Sequence, residues 1–372
     1  MNASNETNAT NANAKIGAGN ARSATLPVPD GAEARTPFLT VRGNRLVEQK
    51  SGEERWLQGV SVSSLECWAE GQHIPETVEQ AISVWGVNVI RLAVHSKFWL
   101  AEDAAAADAA DAAAADAYRR RVDAVVAECQ SRGVYLVLDL HEYRAVSAQH
   151  VRFWQDAAMR YKNHPCVIFG LLNEAHTIPW DVWRNGGDVT DNPAQKDGVF
   201  AENSEPIVAF KSVGFQPLVE AIRATGAMNL ISAGGLDWAY DLSGILDGFA
   251  LADPAPAGLG IMYETHVYPW KSGWRESFVN AAAKYPLLVG EVGCQPECMP
   301  FIPIERHEAP ETWAPDMIGC IQELRLNWTA WCFHPRHSPC LLSDWDFTPT
   351  PYWGEPVLRA FRGEKFTMKR MR

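Results

Sequence analysis

No stretch of about 18 consecutive apolar residues occurs anywhere in the 372-residue chain, so no membrane-spanning helix is expected. Basic residues are scarce: 33 Lys and Arg stand against 45 Asp and Glu, for a formal charge of −12. Nucleic acid calls for a clustered basic face and is disfavoured as a partner, whereas a neutral polymer is tolerated. No P-loop, complete G-x-G-x-x-G or G-x-S-x-G elbow is present. Nucleotide enzymes and serine hydrolases therefore have no support, and no motif calls for a cofactor. Residues 1–35 almost lack large apolar side chains, so nothing there offsets the entropy of ordering. They read as a disordered or linker-like tail. Asn2, Asn5 and Asn8 fit the N-glycosylation sequon, but an Asn/Thr-rich tract generates sequons by composition alone. The N-terminus also lacks the apolar centre of a secretory signal.

Eight cysteines in a chain this long are not a disulfide framework. Cys129 and Cys166 sit in apolar contexts and read as reduced core residues. Cys294 with Cys298, and Cys332 with Cys340, fall in loops, where a stapling disulfide stays open. Hydrophobic residues make up 47% and charged residues 21%, which suits a soluble globular fold, and the length suits one large domain over residues 36–372. Fifteen tryptophans are many, and aromatic faces serve both cores and the C–H faces of sugars.

Phe38-Leu39-Thr40-Val41, then Arg42-Gly43-Asn44, then Arg45-Leu46-Val47 reads as strand, turn, strand. Apolar strand-like segments follow at 56–62, 87–93, 134–140, 167–172, 228–232, 259–263, 287–289 and 328–332, with helical stretches between them. Eight strands alternating with helices predict a (β/α)8 TIM barrel, with the small N-terminal β-hairpin capping its floor. An Ala/Asp run at 104–116 leads into Val122, Val125, Val126 and Cys129, whose spacing predicts an amphipathic outer helix. Long connections after strands four, seven and eight supply material for a substrate cleft.

Polar residues close most of these strands. The apolar run from Val167 to Leu172 stops on Asn173 and Glu174, and the segment Leu287-Leu288-Val289-Gly290 ends on Glu291. Charged groups are almost never fully buried without a partner, so a glutamate at the tip of an apolar strand is hard to explain as core. Strand two contains Arg91 and is followed by His95. Strand three ends Asp139-Leu140-His141, strand six continues into His266-Val267-Tyr268, and strand eight contains Trp331. In a parallel barrel these tips share the catalytic face. Two carboxylates converging there are the minimal equipment for cleaving a glycosidic bond, provided their pKa values split. Arg91 and Tyr268 suit the ionised member, Asn173 a substrate hydroxyl beside Glu174, His141 and His266 the orienting network, and Trp331 the floor under the sugar.

The ordered series Arg91, His141, Asn173-Glu174, His266-x-Tyr268, Glu291 and Trp331 resembles glycoside hydrolase family 5, the cellulase-type family, over about residues 37–360. The resemblance implies a retaining β-glycoside hydrolase with Glu174 as acid/base and Glu291 as nucleophile, their carboxyls about 5–5.5 Å apart. It implies a β-linked oligo- or polysaccharide substrate, foremost a β-1,4-glucan cut internally, with β-mannan or exo-acting cleavage as alternatives. Secretion or a periplasmic location is the family's analogy only. Ala175 stands where the family commonly has proline, which bears on the backbone of loop four. Of another class, a non-catalytic carbohydrate-binding barrel is disfavoured by the presence of both glutamates. The group His334-Pro-Arg-His337 with Cys332 and Cys340 lacks a fourth partner at zinc-site spacing and reads as loop structure or substrate contact. Of Trp68, Trp180, Trp183, Trp270, Trp274, Trp345 and Trp353, expected in upper-face loops, two or three are expected to serve as sugar platforms.

Overall fold

Successive residues of a strand face opposite sides of a sheet, and in this chain that alternation separates two apolar clusters. The structure, a computed structural model, describes residues 25–28, 35–100, 109–190, 209–254 and 259–372. Eight parallel strands close into a barrel: Gln58–Val62, Val89–Val94, Tyr135–Leu140, Val167–Gly170, Ile231–Gly234, Ile261–Val267, Leu287–Val292 and Asn327–Ala330. They follow chain order around the wall, and the eighth closes on the first through Thr329 opposite Gly59. Outward residues such as Ile90, Leu92, Leu136, Leu138, Val167 and Phe169 join the large cluster under the helices. The inward alternates Val89, Val137, Ile168, Met262 and Leu288 form a separate interior cluster at the strand starts.

The hairpin seals that end. Strands Leu39–Arg42 and Arg45–Glu48 pair antiparallel, and a third short strand, Glu54–Arg55, joins them. Leu39 and Leu46 are buried in the interior cluster, and the amide of Val41 donates to Leu259 O at 3.0 Å. The predicted floor cap is thus present, with one strand more than expected.

Each predicted segment overlaps one barrel strand, and the differences lie at the ends. The sixth strand runs to Val267, past the expected 263, because Glu264 and His266 continue the inward alternation with polar side chains. The fourth ends at Gly170 and the eighth at Ala330, so Asn173, Glu174 and Trp331 lie beyond the barrel strands. Their backbones stay extended: Asn173 N donates to Leu140 O and Trp331 N to Val292 O, both at 2.9 Å. Glu174–Ala175 instead pairs in parallel with Tyr143–Arg144, which ties loop four to loop three and buries Ala175.

The outer helix Ala109–Arg132 buries Val122, Val125, Val126 and Cys129 as predicted. The start of the Ala/Asp run and the three sequons lie outside the described residues. Within the predicted tail, Leu26 is anchored: its amide donates to Arg160 O at 3.1 Å and its carbonyl lies 3.0 Å from His164 Nε2. All eight cysteines are free, so neither loop is stapled.

Close pairing of the first two strands depends on Gly59, where a Cβ would lie 1.7 Å from Val89 O. Gly59→Ala must force the first two strands apart. We expect it to destabilise the protein by about 3 kcal/mol or more, the upper end for overpacking a core. Urea unfolding checks this, and an unchanged midpoint would contradict it.

Candidate active site

The alternation that fills the floor with apolar side chains continues upward with polar ones. In the second strand Val89 belongs to the floor and Arg91 is the next residue on its face. In the third, Val137 is followed at the same spacing by Asp139 and His141; in the sixth, Met262 is followed by Glu264, His266 and then Tyr268. On the seventh strand the spacing breaks. Thr265 pairs with Val289 but His266 pairs with Glu291, so Gly290 is the extra residue of a bulge. The bulge brings Glu291 beside the His266 ring, with Oε2 3.7 Å from Nδ1. Only glycine fits in it, because a Cβ would lie 1.9 Å from Glu264 Oε1.

Arg91 is fully buried at the centre of this layer. Its Nε donates to Glu264 Oε1 at 2.9 Å, its Nη1 to Glu291 Oε1 at 3.1 Å and its Nη2 to Asn173 Oδ1 at 2.7 Å. Nη2 also lies 3.2 Å from Asp139 Oδ1. Burial opposes the charge of the guanidinium, but the carboxylates of Asp139, Glu264 and Glu291 outweigh it and hold the pKa above the ordinary arginine value. The effect is mutual. Burial would raise Glu264, yet Arg91, His266 and the Ser232 hydroxyl, which donates to Oε2 at 2.8 Å, bring it down to about 2.

The two predicted glutamates converge above this layer. Glu174, His266 and Glu291 each offer one atom within 4.8 Å of the others. His266 Nδ1 lies 2.9 Å from Glu174 Oε1, and Tyr268 donates its hydroxyl to Glu291 Oε2 at 2.7 Å. Their environments push the two carboxyls apart. Glu291 is raised by burial, but the charges of His266, Arg91 and His141 and the Tyr268 hydrogen bond prevail, so it sits below the ordinary carboxylate value. Glu174 has no arginine partner among the described residues, and burial with the neighbouring Glu291 charge holds it above that value against the pull of His266. His266 itself, though buried, is raised to about 10 by Glu291 and by its bonds to Glu174 and Glu264. The trio is compact enough to hold a cation. However, both oxygens of Glu291 already accept from Arg91 and Tyr268, and the guanidinium supplies the local positive charge, so the set suits proton transfer better.

All eight residues predicted for the site, Arg91, His141, Asn173, Glu174, His266, Tyr268, Glu291 and Trp331, are brought together. His141 lies 2.7 Å from Asp139 Oδ2 through Nδ1 and stacks on Trp331, with ring centroids 5.4 Å apart and planes 9° from parallel. Because Arg91 fixes Oδ1 of Asn173, the amide Nδ2 is left buried without a partner among the described residues, free to donate to a ligand hydroxyl. Two members were not anticipated. Asp139 and Glu264 both precede a predicted histidine by two residues, and that spacing, one strand face, was the available signal.

Loop residues sort less simply. Trp183, Trp274 and Trp353 are fully buried core, their indole N–H groups donating to Gly234, Lys271 and Trp331 carbonyls. Trp68 is 46% exposed, and Trp270 lies flat on Tyr268 at 4.9 Å. Trp238, which the sequence did not single out, stacks on His176 at 4.4 Å. His334 and His337 stack at 3.9 Å and bond to Gln72 and Ser63, holding loop eight against loop one.

Comparison with known proteins bears on the family and the fold. The family model for cellulase (glycosyl hydrolase family 5) matches residues 49–337. Endoglucanase A of Butyrivibrio fibrisolvens is 26% identical over 238 residues, covering 62% of this chain and 45% of that protein. Endoglucanase 5 of Pectobacterium carotovorum subsp. carotovorum is 26% identical over 307 residues, covering 79% of this chain and 50% of that one. The chain thus spans about half the length of these relatives or less. Among solved structures, a Saccharophagus degradans β-glucanase in complex with cellotetraose superposes with a TM-score of 0.67 at 23% identity, covering 91% of this chain and 96% of that one. The catalytic domain of a Thermobifida fusca endoglucanase superposes with a TM-score of 0.61 at 15% identity, covering 89% and 99%. With the family model matching most of its length and the fold agreeing throughout, the chain belongs to the cellulase family, glycosyl hydrolase family 5.

Proposed function

We propose that the protein hydrolyses β-glycosidic bonds with retention of configuration, as an endo-acting glucanase on a β-1,4-linked glucan. The observation that carries the reading is the split between two facing carboxyls: Glu291 is clamped ionised by Arg91 and Tyr268, while Glu174 is pushed toward its protonated form. One oxygen of each lies within 4.8 Å of the other, which favours direct attack by one carboxylate. Inverting pairs stand about 6.5–9.5 Å apart to admit a water between them.

In this mechanism Glu291 attacks the anomeric carbon as Glu174 gives its proton to the departing glycosidic oxygen. Glu174, now a carboxylate, then takes a proton from the water that releases the sugar from Glu291. Asn173 Nδ2 donates to a sugar hydroxyl beside Glu174, and Trp331, backed by His141, forms the face beneath the ring. The choice of an internally cut β-glucan is supported by the endoglucanase relatives and by the cellotetraose bound to the Saccharophagus β-glucanase.

Assay of new reducing ends on a panel of polysaccharides, with product sizes recorded, tests the substrate. Soluble β-1,4-glucan should yield mixed oligosaccharides with an early fall in viscosity. Preference for mannan, or release of one terminal sugar only, would contradict the proposal. Glu174→Ala should lose about 10²–10⁴-fold on the glucan, the usual worth of a general acid, while sparing aryl glycosides with very good leaving groups. Azide should then restore rate and give a β-glycosyl azide; an α product rules out retention.

The pH profile of kcat/KM should be bell-shaped, its acid limb reporting ionisation of Glu291 and its alkaline limb loss of the Glu174 proton. The Tyr268 hydrogen bond lowers the pKa of Glu291, so Tyr268→Phe raises it and moves the acid limb to higher pH, by up to about one unit for one such bond. The alkaline limb should move much less. An acid limb that stays in place disproves the role given to Tyr268.

A further inference from the structure

We propose that Glu264 is a positioning residue of this reaction: held between Arg91 and Ser232, it fixes the His266 ring so that Nε2 carries a hydrogen and Nδ1 is aimed at Glu174. The proposal rests on Glu174 being the acid/base.

The geometry supports it at each contact. Glu264 is 3% exposed; Oε1 accepts from Arg91 Nε at 2.9 Å and lies 3.1 Å from His266 Nε2, while Oε2 accepts from Ser232 at 2.8 Å. An ionised carboxylate only accepts, so the imidazole nitrogen facing it must be the donor. The rival arrangement would leave Nε2 unprotonated to accept from Arg91 Nη2. That contact is 3.4 Å, longer than the one to Glu264, and Nη2 already donates to Asn173 at 2.7 Å. It would also set two lone pairs against each other 3.1 Å apart. The bulge at Gly290 exists where the Glu264 carboxylate needs room, so the seventh strand is shaped around this group as well as around Glu291.

The charged groups that face His266 are Arg91 from the second strand, Glu174 after the fourth, Glu264 from its own and Glu291 from the seventh; the fifth strand, packed beside it, faces Glu264 with the uncharged Ser232. Among them Glu264 is the one carboxylate that faces Nε2, away from the reacting pair. With Glu291 and the bond to Glu174, the Glu264 carboxylate keeps the ring an imidazolium, whose Nδ1–H points at Glu174 Oε1. When Glu174 gives its proton to the glycosidic oxygen, as the bond from C1 to that oxygen breaks and the bond to Glu291 forms, the carboxylate left behind accepts from Nδ1–H. When Glu174 takes a proton from the water whose oxygen displaces Glu291, the same bond is released. His266 neither gains nor loses a proton over the cycle.

The test compares wild-type enzyme with Glu264→Gln and Glu264→Asp by histidine ¹⁵N NMR and by pH profiles of kcat and KM on an aryl cellobioside. In the wild type His266 should stay doubly protonated through neutral pH. In Glu264→Gln it should be singly protonated at neutral pH, and kcat near neutrality should fall about tenfold, less than the roughly 10²–10⁴-fold that loss of the acid/base itself costs. Without the imidazolium, both Glu291 and Glu174 rise in pKa, so both limbs move to higher pH together, unlike Tyr268→Phe, which displaces the acid limb. Glu264→Asp retains the charge and should bring both limbs back. If Glu264→Gln does not fold, Ser232→Ala, which frees Oε2 alone, should move the limbs the same way by less. Coincident His266 titrations and limbs in wild type and variant, or limbs that Asp does not restore, overturn the proposal. The NMR result does not depend on turnover, so failure of azide rescue in Glu174→Ala would remove the acid/base reading while leaving the test of the His266 ring intact.

Discussion

A fully buried guanidinium inside the barrel is the constraint around which the site is arranged. Arg91 is 0% exposed, and a lone buried cation costs several kcal/mol even after relaxation. Asp139, Glu264 and Glu291 compensate it from three other strands, and Arg91 with His266 holds the carboxyls of Glu264 and Glu291 below the ordinary value against their burial. Removing one partner of such a set typically costs about 3–5 kcal/mol, so the charges hold one another in place. The ionisation of Glu291, on which nucleophilic attack depends, is therefore a property of the whole layer. Asn173 is drawn into the same arrangement through its carbonyl oxygen, which leaves its amide nitrogen for the ligand.

The barrel supplies the geometry that this electrostatics needs. Its interior is apolar at the floor, where Val89, Val137, Ile168, Met262 and Leu288 meet the hairpin, and polar one step higher. Alternation by twos places Arg91, Asp139 and Glu264 one step above the floor residues Val89, Val137 and Met262 without any special backbone. The exception is the seventh strand, whose extra residue at Gly290 both admits the Glu264 carboxylate and brings Glu291 to His266. A single backbone irregularity thus joins the supporting layer to the reacting pair. Glu174 arrives differently, on a loop tied to Tyr143–Arg144, and its separation from Arg91 is what lets its pKa rise while that of Glu291 falls.

Much of this was legible in the sequence because apolar runs ending in polar pairs are an unusual pattern. Asn173-Glu174 and Gly290-Glu291 could be placed at strand tips from their surroundings alone, and His266-x-Tyr268 carried the face spacing that joins them. Glu264 was missed for a physical reason: a charged residue in the middle of an apolar run looks like the end of a strand, and only the three-dimensional partner Arg91 explains its burial. Asp139 stood in plain view but had no visible partner. The tryptophans show the opposite error. Loop position suggested exposure for Trp183, Trp274 and Trp353, yet loops that fold back on a barrel bury their own large side chains, and sequence does not record that return. The loop histidines His334 and His337 likewise turned out to stitch loop eight to loop one, a contact between residues far apart in the chain.

The central claim is that Glu291 is the charge-stabilised nucleophile facing a protonated Glu174. The most direct measurement is trapping of the covalent intermediate with a 2-fluoro cellobioside bearing a good leaving group, followed by peptide mass spectrometry. The account predicts a glycosyl ester on Glu291, formed as activity is lost. Label on Glu174, or turnover with inversion and no ester at all, would contradict it.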